Sequence, residues 1–287
     1  MKNNITRLWV LLMTIFSANA FSVTSIESGD TFLSDMMALR TMSLRVGNAY
    51  AVQAFNFSRA DTDQETVKLE SYMPVGDQPG QLLESFDFVL QRLQKEHSHE
   101  PLWGNVAFHW AELRRVALKQ PTVGEVMSVV ETAEELLYSS DRIIRQQLRR
   151  QATPMSRSLN AITFQAMMAE RFGMFYAVQS LGFVEEWVVV ETNESYQAYG
   201  QGLRKLSTLG FASDVFDALP SKLYTQWRHV GSNYWDTPDV RFDPVVVYQL
   251  VSGMRANSES LLGLFLRPSS LALVKPEIAL VSTVPQR

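Results

Sequence analysis

Apolar side chains return every three or four residues along most of this chain, the period of a helix with one buried face. Residues 81–96 carry Leu82, Leu83, Phe86, Val89, Leu90 and Leu93 at that spacing, and residues 102–118 carry Trp103, Val106, Trp110, Leu113 and Val116. Pro121 stands where it opens a long helix in its first turn, since a missing N–H costs nothing there. The stretch 125–150 then repeats Val126, Val129, Val130, Ala133, Leu136, Leu137, Ile143, Ile144 and Leu148. Further helical stretches follow at 156–178, 194–209, 212–230 and 244–266. No run alternates with a period of two, although the β-branched run at 188–190 can extend either way. The pattern predicts an all-α chain.

The chain also contains itself twice. Residues 45–57 align with residues 171–183 without a gap, and Arg45, Gly47, Tyr50, Ala51, Val52, Gln53 and Phe57 recur as Arg171, Gly173, Tyr176, Ala177, Val178, Gln179 and Phe183. Seven matches in thirteen positions at one offset of 126 mark an internal repeat. The expected organisation is two tandem antiparallel four-helix modules, 21–152 and 153–266. A proline-bearing tail, 267–287, follows them.

The first twenty residues read as a signal peptide. Lys2 and Arg7 supply the positive end, residues 8–16 the apolar stretch, and Ala18-Asn19-Ala20 the small residues of a cleavage site. That stretch is shorter than the roughly 20 residues of a membrane span, so cleavage and export to the periplasm are expected. Without Lys2 and Arg7, the 26 basic residues fall to 24 against 30 acidic ones, a net charge of −6 that disfavours nucleic-acid binding. The absence of cysteine excludes disulfides, thiol catalysis and Cys-ligated zinc.

Chemistry concentrates in the first long helix. Arg40 falls in a heptad stripe with Leu33, Met37, Leu44, Gly47, Ala51 and Ala54, all apolar or small. At about 100° per residue, Arg40, Ser43, Gly47 and Tyr50 share one face. A guanidinium facing a helix seam cannot shed its charge and needs an anion, and its planar fork suits a flat oxyanion or a carboxylate. Gly47 lets another helix come close. Arg45 points roughly 140° away from Arg40 and recurs as Arg171, so both read as structural pairing residues inside each bundle. Arg40, Ser43 and Leu44 have Ala166, Ala169 and Glu170 as their counterparts, so the second copy lacks the anion pattern.

The run from Leu39 to Gly47, with Ala49 and Tyr50, resembles the opening helix of the PilJ domain, the N-terminal domain of pilus-type chemotaxis transducers. It is closer still to the ligand-binding helix of periplasmic nitrate/nitrite sensor kinases, of the form L-R-x-x-S-x-R-L-G. The resemblance implies a sensory domain in which Arg40, with Ser43 and Gly47, binds a small nitrate-like or nitrite-like anion at the seam of a homodimer. An internal ion pair of Arg40 with Glu131, Glu134 or Glu135 is the competing reading.

Other candidates are weaker. His97 and His99, flanked by Glu96 and Glu100, form the one histidine cluster, and a polar interhelical loop accounts for it as well as a metal does. His109 and His229 read as partly buried helix residues, and the methionines at 36, 37, 42, 167 and 168 as core filler. The adjacent pairs Glu134-Glu135 and Glu185-Glu186 point to different faces and read as solvated. No catalytic or phosphate-binding motif is present, so neither an enzyme nor a cofactor is expected. The expected function is periplasmic sensing of a small anion, with the signal passing to an inner-membrane receptor or another envelope protein. The alternative is a structural or interaction component of a cell-envelope assembly. A carboxylate partner for Arg40 within the chain would separate the two.

Overall fold

Helix-stop and helix-start chemistry divides the middle of the chain. Thr153 Oγ1 accepts from the Ser156 amide at 3.0 Å while Ser156 Oγ accepts from the Thr153 amide at 2.9 Å, and Pro154 sits in the first turn. The same helix ends at Gly182, whose φ of 95° suits glycine and whose amide reaches Gln179 O at 3.0 Å. Asp243 caps the last helix by accepting from the Val245 amide at 2.9 Å.

The computed structural model describes residues 28–60, 73, 77–96, 102–208, 214–235 and 243–266. The expected signal peptide and cleavage site, the tail 267–287, and His97 and His99 lie outside the described residues. Those described form eight helices and no strand: α1 (Ser28–Ala60), α2 (Pro79–Glu96), α3 (Trp103–Ala117), α4 (Val123–Gln151), α5 (Pro154–Ser180), α6 (Glu186–Thr208), α7 (Asp214–Trp235) and α8 (Pro244–Phe265). The fold of the described residues is all-α. The chain divides into Met1–Phe32 and a main unit, Leu33–Arg287, which holds every contact given below.

Two starts differ from expectation. Thr122 is extended, with φ −128° and ψ 150°, so α4 begins at Val123 and Pro121 precedes the helix. The run Val188 to Val190 lies in the first turns of α6, where complete burial of Val188 outweighs β-branched preference.

α1 runs antiparallel to α4. Tyr50 Oη donates to Glu125 at 3.2 Å near one end, and Arg40 meets Asp141 near the other. Arg92 of α2 reaches Asp35 of α1 at 2.5 Å, α2 packs on α3, and α3 on α4. Phe86 of α2 stacks on Trp110 of α3 with centroids 3.8 Å apart, and Trp110 Nε1 donates to Asp87 at 2.7 Å. The next four helices close on one another: α5 packs on α6 and α8, while α7 packs on both α6 and α8.

The two copies of the repeat meet at their glycines. A Cβ on Gly47 would lie 2.5 Å from Met174 Sδ and 3.2 Å from Ala133 Cβ. A Cβ on Gly173 would lie 2.8 Å from Asn48 Nδ2 and 3.1 Å from Val251 Cγ2. Position 47 faces 174, and position 173 faces 48. At an offset of 126 these are the same two repeat positions with their roles exchanged.

Candidate functional site

The α1–α4 register decides what Arg40 sees. With Gly47 against Ala133, a residue two turns earlier on α1 lies opposite one two turns later on α4. Arg40 is 1% exposed, and its Nη1 donates to Asp141 Oδ1 at 2.8 Å. Its Nη2 reaches Thr163 Oγ1 on α5 at 3.4 Å, while Nε has no hydrogen-bond partner. Burial pulls the Arg40 pKa below its ordinary value, and the Asp141 charge and hydrogen bond oppose that pull. Arg145 holds the other Asp141 oxygen at 2.5 Å. The partner is thus a carboxylate on α4, but neither Glu131, Glu134 nor Glu135.

Ser43 is fully buried, and its hydroxyl donates to the Arg40 carbonyl at 2.8 Å. Gly47 is the close-approach point for α4 and α5. Arg40, Ser43 and Gly47 therefore line one inward face of α1, and the seam they face belongs to the same chain.

Arg45 and Arg171 each hold carboxylates. Arg45 binds Asp77, just ahead of α2, and approaches Glu259 at 3.9 Å. Arg171 Nε lies 2.9 and 3.0 Å from the two Glu134 oxygens, its Nη2 lies 2.6 Å from Glu191, and its Nη1 lies 3.4 Å from Ser195 Oγ. Its guanidinium also covers the Phe175 ring at 5.3 Å. Glu134 is thereby buried rather than solvated, because Arg171 supplies its counter-charge, whereas Glu135, Glu185 and Glu186 are exposed. His109 is half-buried and His229 exposed.

A second ionic centre carried no expectation from the sequence. Arg255 of α8 bonds Asp77 at 2.7 Å and Glu170 of α5 at 2.5 Å, and both carboxylates are 1% exposed. Asn48 donates to Glu170 at 2.8 Å and Ser252 to Asp77 at 2.9 Å. Burial alone would raise the Asp77 pKa, but Arg255 and Arg45 outweigh it and hold the carboxyl below its ordinary range. Burial likewise acts to lower the Arg255 pKa, and Glu170 and Asp77 reverse it. The cluster ties α1, α5, α8 and the segment before α2 together. Two signals pointed to it: Glu170 replaces Leu44 in the repeat, and Arg255 is the one cation of α8.

Chemically, these centres neutralise buried charge. Among the described residues no group of His, Asp or Glu is arranged to hold a metal ion, and no helix is long and apolar enough to cross a membrane. No family model matches the chain, and neither a curated protein nor a solved structure matches it.

Proposed function

We propose that the chain is a non-catalytic, exported helical protein that serves as a structural or interaction component of a cell-envelope assembly. In this reading a PilJ-like module occurs twice, over 21–152 and 153–266, and the second copy occupies the place a second subunit takes in a sensor dimer. The observation that carries the reading is the Arg40–Asp141 pair, a carboxylate from the same chain where an anion would otherwise be needed. The exchanged contacts of Gly47 with Met174 and Gly173 with Asn48 support the pseudo-two-fold arrangement. A signal peptide read at residues 1–20 supports export.

One observation favours a second reading, recognition of a nitrate-like or nitrite-like anion at Arg40 with relay to an inner-membrane receptor. Arg40 Nε, Ser140 Oγ and Asn160 Oδ1 are all buried without hydrogen-bond partners. Thermal unfolding separates the readings, because a species that binds only the folded state raises the midpoint by mass action. We expect nitrate and nitrite at about 10 mM to move the midpoint no more than chloride does, and Arg40→Ala to lower it in every salt. A nitrate-specific rise that vanishes in Arg40→Ala would overturn the structural reading in favour of the sensor.

A further inference from the structure

A cleft of about 230 Å³ opens between α3 and α4. Leu102 and Tyr138 give it an apolar wall, and Asn105, Ser139 and the His109 imidazole of α3 add polar groups. Its two charges, Glu135 and Arg142, come from α4. They stand seven residues apart, two turns or about 10.5 Å along one face of the helix, with Tyr138 between them.

The neighbouring carboxylates of α4 that do not line the cleft are committed elsewhere. Glu134 holds Arg171, while Asp141 holds Arg40 and Arg145. Glu135 and Arg142 form no ion pair and no side-chain hydrogen bond among the described residues, and both are exposed. An unspent carboxylate and an unspent guanidinium, one at each end of an aromatic wall, form a dipolar receptor. The Arg142 fork suits a carboxylate, and Glu135 suits an ammonium.

Size and charge narrow the class. Pockets for drug-sized ligands begin near 300 Å³, so the cleft fits a smaller molecule. One arginine opposite a glutamate disfavours polyanions such as nucleotides.

We infer that this cleft binds a free amino acid as its zwitterion, the carboxylate on Arg142, the ammonium on Glu135 and the side chain against Tyr138. The site uses residues other than those of the Arg40 seam and does not rest on the structural reading above.

The test uses the full chain as purified. Each of the common L-amino acids at about 10 mM is screened for a rise in unfolding midpoint, and any that acts is titrated by calorimetry. The expected result is that at least one amino acid binds, while its N-acetyl and its amide derivatives, each lacking one charge, bind about tenfold more weakly or not at all. Arg142→Gln and Glu135→Gln should each raise Kd about tenfold or more while leaving the unliganded midpoint unchanged, since neither side chain has a partner to lose. Three outcomes overturn the inference: no amino acid raises the midpoint, binding survives in both variants, or the capped derivatives bind as well as the parent.

Discussion

Arg255→Met is expected to destabilise the protein by about 3–5 kcal/mol, the cost of leaving buried charge without its partner. Arg255 is 5% exposed and answers two carboxylates, Asp77 and Glu170, that are themselves almost wholly buried. Without it, Asp77 keeps Arg45 and Ser252, and Glu170 keeps the Asn48 amide but no cation among the described residues. Methionine fills the volume but supplies no charge, so the loss is electrostatic rather than a cavity. The pH dependence separates these causes. A carboxyl held below its ordinary value of 3.8 contributes stability that is present above that value and lost as pH falls through its lower folded pKa. In the variant, Arg45 is the one cation left to oppose burial, with the Ser252 hydroxyl beside it, so the Asp77 pKa rises and its proton is taken up at higher pH. The deficit relative to wild type should therefore be large at neutral pH and narrow as pH falls toward 4, measured by urea unfolding at several pH values. A deficit under about 1 kcal/mol at neutral pH would mean the cluster is not what joins α1, α5 and α8.

Gly173→Val should cost about 2–3 kcal/mol, from overpacking at the crossing of the two repeat copies. A Cβ there comes within 2.8 Å of Asn48 Nδ2 and 3.1 Å of Val251 Cγ2, so both neighbours must move. Moving Asn48 also strains its bond to Glu170, which couples the steric loss to the ionic cluster. Replacing glycine within a helix recovers a few tenths of a kcal/mol of propensity, too little to offset this. At Gly47 the nearest atom is the sulfur of Met174, a flexible side chain, so Gly47→Val should cost less. An equal or reversed ranking in thermal unfolding would show that the crossing is looser than these distances require.

The helices were legible because burial repeats at helical spacing, whereas the caps at Thr153 and Asp243 emerge only from the structure. The glycine at the repeat crossing was legible too, since only close approach gives Gly47 and Gly173 a shared use. Partner choice was not legible. Arg40 meets Asp141 across 101 residues and Arg255 meets Asp77 across 178, and nothing local in the sequence encodes the register between such helices. Glu134 shows the same limit: beside Glu135 it reads as solvated, and only the approach of α5 brings Arg171 to it. Val188 shows the converse, a local strand preference overridden by complete burial in a helix.

The role of Arg40 is tested most directly by a double-mutant cycle with Arg40→Met, Asp141→Leu and the pair together, read by urea unfolding. Each single change should cost about 2–4 kcal/mol, and the double variant should lose clearly less than the sum, because removing both charges leaves neither buried and unanswered. Losses that simply add would contradict a seam closed from within and return Arg40 to the role of a guanidinium awaiting an anion from outside the chain.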